Sequence, residues 1–277
     1  MKSIRTATVL AAALALSLAS VAYAQGDPSD DSVVQKLAHG QVDWSNKTVT
    51  ATGSGVASLK AKSVAVARLK AERAAKIDAL RNIVETIQGI QINSKRSAGD
   101  LMSNGEIKSK IMGMARNFKV VDTRYYSDGS VDVVVQMPID DQLTSTLFQG
   151  VKSGKTRKLP AAGDATVSGL IINAKSLGVV PSMAPRVVDE GGKEVYGAAV
   201  VGNKGIAQGG IAGYVKDVGA AQSSERIGKS PMVIKALSLA KGTKTDIVVS
   251  NADADKLRDP NSNLSFLSEG KVVIVVD

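Results

Sequence analysis

The chain has 277 residues, 44% of them hydrophobic and only 3% aromatic, and a formal net charge of +9. That composition excludes a disordered chain, and the lack of cysteine excludes disulfides, thiolate metal sites and a lipid-attachment cysteine. A basic balance suits contact with anionic glycan, lipid or nucleic acid, but a solvated basic surface gives the same number.

Residues 1–24 read as a cleaved signal peptide. Lys2 and Arg5 open it, Ala7 to Val21 is apolar, and Ala22-Tyr23-Ala24 is a small-x-small cleavage site before Gln25. The apolar run is short for a membrane span; an uncleaved anchor is the alternative. The mature protein is expected to be exported, periplasmic or associated with the cell surface or outer membrane, with its charge reduced to +7 by loss of Lys2 and Arg5.

Residues 25–41 begin with Asp27-Pro28 and Asp30-Asp31 and read as a flexible mature N-terminus. From Asp43 to Ser54, Val49 and Ala51 alternate with Thr48, Thr50 and Thr52, which predicts a strand, with Trp44 as a hydrophobic plug. Gly53 and Gly55 then lead to Ser63–Gln88, the longest run free of Gly and Pro. On a helical wheel Val66, Leu69, Leu80, Ile83, Val84 and Ile87 share an arc of about 120° with Ile77, the expected buried face. Arg73 and Lys76 interrupt that arc, which makes them candidates for an interdomain or intersubunit contact. Gly89 supplies the helix end.

Ile90 to Ser94 predicts a short strand, Ala98 to Gly105 a mobile loop, and Glu106 to Arg116 a second helix. Phe118–Tyr126 and Ser130–Met137 form a predicted hairpin, because Asp128-Gly129 provides the positive φ that a tight turn needs. Asp140-Asp141 caps a last short helix, Gln142–Phe148. Residues 42–149 thus form one expected unit.

Residues 150–163 change character, with Lys152, Lys155, Arg157 and Lys158 beside Pro160, and read as a basic linker. Residues 164–277 are Gly-rich and β-patterned. Strands are expected at Thr166–Ala174, at Pro185–Tyr196 turning on Gly191-Gly192, at Pro231–Leu239, at Asp246–Ser250 and at Lys271–Val276. Asn203–Gly213 reads as a long loop. The expected fold class is α+β: a long helix packed on an antiparallel sheet, followed by a mostly-β domain.

No motif for catalysis survives its spacing test. Ser153-Gly154-Lys155-Thr156 lacks the Gly that a phosphate loop needs five positions before Gly154, where Gln149 stands. Asn251, Asp253 and Asp255 begin like a calcium loop, but Lys256 replaces its Gly and Ser262 its bidentate Glu. His39 is the one histidine, so no zinc set is available. The acid pairs Asp140-Asp141 and Asp189-Glu190 read as caps or solvated charge beside turns. We expect no enzyme, no cofactor and no metal.

The run Ala71-Glu72-Arg73-Ala74-Ala75-Lys76-Ile77-Asp78-Ala79-Leu80-Arg81, then Glu85 and Gly89-Ile90, resembles the LPP-type twenty-kDa lipoprotein family. The hairpin Tyr125 to Val133 completes the likeness, which also extends to the N-terminal domain of flagellar assembly protein T. The resemblance implies a structural envelope protein outside the inner membrane, often built into rings or surface structures, with no catalytic residues to carry over. The chain departs from the lipoproteins in having no cysteine to acylate.

The expected function is a structural or assembly protein of the envelope that self-associates or docks onto other envelope proteins. The apolar strand Val272, Val273 and Ile274 is a candidate contact, because such an edge must be paired within the fold or by a neighbour. The alternative is a polyanion- or glycan-binding module that uses Lys155, Arg157, Lys158 and the early helix to contact anionic glycan or lipid headgroups. Specific nucleic-acid recognition is not expected, since aromatics do not interleave with the basic residues.

Overall fold

From Thr48 to Gly55 every second side chain faces inward, and Val49, Ala51, Gly53 and Gly55 line one side of the strand. The computed structural model describes residues 32–149, 157–161, 166–202, 205–206 and 209–277. The expected signal peptide, the first part of the expected flexible N-terminus and most of the expected linker lie outside them. Among the described residues no helix is long and apolar enough to cross a membrane.

The first half contains strands β1 (Val34–Lys36), β2 (Gly40–Asp43), β3 (Thr48–Gly55), β4 (Gln91–Asn93), β5 (Arg96–Ser97), β6 (Lys119–Tyr125) and β7 (Val131–Pro138). Five of them form an antiparallel sheet in the order β1-β2-β3-β7-β6. β1 and the first half of β2 fall where a flexible N-terminus was expected; β2 pairs with β3, so the ladder sets in earlier than the polar composition suggests. The β6–β7 hairpin turns at Asp128-Gly129 as expected, with Gly129 at φ 82°. The stretch expected to be a mobile loop instead holds α2 (Ala98–Leu101), fixed by a reciprocal cap between Ser97 and Asp100.

Helix α1 (Val64–Gln88) begins at Ser63, whose hydroxyl accepts from the Val66 N–H, and lies across β3 and β7. Its buried stripe corrects the expected face. Ala71, Ala75 and Ala79 are buried, whereas Val66, Leu69 and Ile77 are exposed. Contact distance decides this. A Cβ added at Gly53 would overlap the Ala79 backbone nitrogen, and one at Gly55 the Ala71 carbonyl oxygen. Helix backbone touches strand backbone, so only alanine fits between them. Past Ala79 the helix buries larger residues as expected, with Ile83, Val84 and Ile87 in the core near α2 and α3 (Gly105–Ala115).

After α4 (Asp141–Phe148), capped by Asp140 as expected, the second half holds β8 (Gly169–Asn173), β9 (Val187–Val188), β10 (Glu194–Tyr196), β11 (Gly213–Val215), β12 (Pro231–Leu239), β13 (Ile247–Val249) and β14 (Val272–Val275). The short helices α5 (Val218–Gln222), α6 (Asn251–Lys256) and α7 (Ser265–Ser268) connect them. The sheet order is β10-β9-β13-β12-β8-β14-β11, with β8 parallel to both β12 and β14. The chain is therefore α+β, with a long helix on an antiparallel sheet followed by a Gly-rich, mostly-β half.

Val272, Val273 and Ile274 need correcting as contact residues. They pair with Leu170, Ile171 and Ile172 on one side, and β11 covers β14 on the other. Their side chains are buried, so this strand is satisfied within the fold.

Backbone hydrogen bonds tie the two halves. Met183 N–H donates to Gln91 O at 2.9 Å and Ala184 N–H to Ile92 O at 2.7 Å. Trp44, the expected plug, is buried with its ring edge-on to Tyr214 at 5.5 Å between centroids. Beside it the Ser45 hydroxyl donates to Tyr214 O at 2.9 Å.

Candidate interaction surface

The repeat that buries one side of α1 also composes its other side. With Ala71, Ala75 and Ala79 against β3, residues 66, 69, 73 and 77 point away from the sheet. Val66, Leu69 and Ile77 are exposed there, with Lys70 and Arg73 between them. Lys76 borders this stripe and pairs with Glu72 at 2.7 Å. Arg73 and Lys76 thus belong to a mixed aliphatic and basic surface rather than to an interrupted core face.

The first two turns of α1 overhang the sheet. No residue from Val64 to Lys70 is buried, and the first to be so is Ala71. In the preceding connection Val56 is 82% exposed and Leu59 fully so. Val56 to Lys70 holds Lys60, Lys62, Arg68 and Lys70 and no acidic residue. Among the described residues none of these four forms an ion pair. Arg68 lies over the Tyr125 ring, 5.4 Å from its centroid.

Tyr125 closes β6, the long outer strand of the five-stranded sheet. Val120, Val121 and Tyr125 are exposed along β6, and Tyr126 just beyond it. Hydrogen bonds from the Ser54 and Tyr126 hydroxyls hold the Asp132 carboxyl below its usual range, which anchors the hairpin end. Tyr126 N–H donates to Ser130 O at 3.0 Å and sets the phase of the ladder. By strand alternation, the N–H and C=O of Thr123 and Tyr125 then point away from β7. Lys119, Asp122, Arg124 and a bulge between Val120 and Asp122 guard the edge against indiscriminate pairing.

The second half contains a half-buried cation that sequence reasoning missed. Arg226 donates from Nε to Gly270 O at 2.7 Å, from Nη1 to Gly209 O at 2.8 Å and from Nη2 to Gly210 O at 2.7 Å. Lys47 reaches across from the β2–β3 turn to the same Gly209 oxygen at 2.9 Å. Burial lowers the pKa of both, and the neighbouring guanidinium lowers that of Lys47 further. The adjoining cleft of about 680 Å³ is lined by Gly202, Gly205, Arg226, Ser268, Glu269 and Lys271, among others. Glu269 and Lys271 pair with each other at 2.7 Å, and Arg226 is engaged with carbonyls. This arrangement clamps the Gly-rich segment, and among the described residues it leaves no unpaired acid beside a free base. A lone arginine between short elements makes no pattern; the only signal was the glycine density around 202–213.

The remaining candidates do not gather. Lys155 lies outside the described residues. Arg157 turns inward and donates from Nη2 to Val195 O at 2.8 Å, which withdraws it from any polyanion face, while Lys158 is exposed. Of the two readings of Asp189, a turn cap or solvated charge, the first holds: it is buried and accepts from the Lys193 N–H at 2.8 Å, and also from Arg258 Nη1 at 2.7 Å. Asp246, also buried, accepts from Arg186 Nε at 3.0 Å. His39 lies 3.1 Å from Glu85, at the surface. Among the described residues no three His, Cys, Asp or Glu gather around a metal position.

A search of curated proteins finds no match. The family described as Treponema pallidum Tp0624, second domain, matches residues 169–277, from the start of β8 to the last residue. The part of the chain similar to that domain is therefore the seven-stranded sheet with its short helices, and the five-stranded sheet with α1 lies outside the match.

Proposed function

We propose that this is a non-enzymatic, exported assembly protein of the bacterial cell envelope, self-associating or docking into a larger structure through β6 and the adjoining stripe of α1. The observation that carries the proposal is the exposed edge of β6, whose pattern is complementary to itself. Antiparallel pairing of two copies about Thr123, on the regular side of the bulge, sets Asp122 opposite Arg124 and brings the exposed Val121 of one copy toward Tyr125 of the other. Such a pair places opposite charges and apolar residues across the new ladder while the outward groups of Thr123 exchange hydrogen bonds. The likeness of α1 and the hairpin to the LPP-type lipoproteins supports an envelope setting, and the apolar start of the chain supports export.

Light scattering on the chain from Gln25 onward tests this directly. We expect a dimer whose population rises with concentration. Thr123→Pro removes an outward N–H without touching the β6–β7 ladder and should return the protein to monomer. A strict monomer at high concentration, with no envelope protein captured by a photo-crosslinker at Val121, overturns the proposal.

Among the described residues, a polyanion-binding role is favoured at the overhang of α1, where Lys60, Lys62, Arg68 and Lys70 stand without carboxylate partners.

A further inference from the structure

Leu59, Val56 and Val64 are the three most exposed large hydrophobic side chains among the described residues, and all three lie in the short segment that leads into and begins α1. No groove receives them. They project from a loop and a first helical turn as separate aliphatic tips, with Lys60 and Lys62 between them and Arg68 and Lys70 one turn further on. We propose that this surface docks the protein onto an anionic phospholipid bilayer. Val56, Leu59 and Val64 enter the headgroup layer, and Lys60, Lys62, Arg68 and Lys70 lie against the lipid phosphates. The inference is independent of pairing through β6, which uses a different edge of the sheet.

Three features select a bilayer over a second copy of the chain. First, charge: Val56 to Lys70 carries four positive charges and no negative one, so two such faces repel while an anionic surface attracts both. Second, shape: isolated aliphatic tips need a complementary pocket on a protein partner, whereas acyl chains and headgroups accommodate any contour. Third, the surroundings are those of an interfacial anchor. Exposed Tyr125 and Tyr126 stand beside the overhang, and tyrosines favour the headgroup level. The hairpin turn at Gly129 rests against Ala57, which holds them there. The outward stripe of α1 continues the pattern through Leu69, Lys70, Arg73 and Ile77, the order of a helix that lies in an interface with its lysines and arginines snorkelling.

Vesicle flotation at low salt tests the proposal on the chain from Gln25 onward. The protein should float with equimolar phosphatidylglycerol and phosphatidylcholine vesicles and not with phosphatidylcholine alone, and added salt should release it. Each basic residue near the surface is worth about 5-fold in partitioning, so Lys60→Glu with Lys62→Glu should weaken it by at least about 25-fold. Leu59→Trp should shift its emission to the blue on the anionic vesicles and not with soluble glycerol phosphate, against a buried Trp44 background. These substitutions sit on exposed side chains, so the circular dichroism spectrum should not change. Absence of flotation, or equal flotation with both vesicles, overturns the proposal. So does a Leu59→Trp emission that ignores the bilayer. Loss of dimer in the Lys60→Glu, Lys62→Glu protein with unchanged flotation assigns the surface to a protein partner instead and overturns it as well. Flotation that persists in monomeric Thr123→Pro separates the lipid contact from self-association.

Discussion

Glu194 is half-buried, and its carboxylate accepts no hydrogen bond among the described residues, although Arg186 and Arg157 stand near. Both guanidinium groups are committed elsewhere: Arg186 to Asp246, and Arg157 to the carbonyls of Glu194 and Val195. Burial therefore outweighs their attraction and raises the pKa above its ordinary 4.5. The folded state then holds the proton more tightly than the unfolded chain does. The stability this contributes is complete below 4.5 and is lost as pH rises through the folded-state value. Glu194→Gln keeps the neutral form at every pH. Subtracting its urea-denaturation stability from that of the parent protein across pH 4 to 8 should leave a difference that grows against the parent above the ordinary glutamate value and then levels off. A flat difference would show that the two arginines cancel the burial.

At the scale of the element, α1 carries two stripes of opposite meaning. Ala75 fills the space between helix and strand backbones, so Ala75→Leu should cost about 3 kcal/mol or more by forcing them apart. Ile77 looks larger and more core-like, yet Ile77→Ser should stay within about 0.5 kcal/mol, because the side chain leaves no core. Chemical denaturation of the two variants decides which side of the helix the sheet holds. Much of the fold was readable in the chain. Asp128-Gly129 announced the hairpin, and the strength of KVVIVV announced a strand that had to be paired. The facing of α1 was not readable by apolar periodicity, since hydrophobicity ranks Ile77 above Ala75, whereas close approach at Gly53 and Gly55 ranks them the other way. The better signal was smallness repeated on both partners, Ala at every fourth position opposite alternate glycines. The basic residues of the early helix were noticed in the sequence, but whether they formed a surface depended on where the sheet ended.

At the scale of the molecule, the two sheets share contacts that a chain of independent beads would lack. Met183 and Ala184 of the second half hydrogen-bond to Gln91 and Ile92 of the first, and Lys47 reaches into the Gly-rich segment that Arg226 holds. Trp44 stands at the centre of this seam. Its indole N–H donates to Gln35 Oε1 at 2.9 Å, and its ring meets the buried Tyr214, whose hydroxyl pKa burial pushes up to about 12. Asp31 to Asp277 accordingly form one compact unit, although the chain changes character near residue 150. Such coupling predicts a single calorimetric transition with equal calorimetric and van't Hoff enthalpies. Trp44→Ala should lower that transition by the loss of about 3–5 kcal/mol, the cost of truncating a buried aromatic. Because the indole touches both halves, the variant should reveal whether they stand without each other. If the seam is one contact among many, the weakened protein still melts in one step; two resolved peaks would mean that Trp44 alone made the halves cooperate.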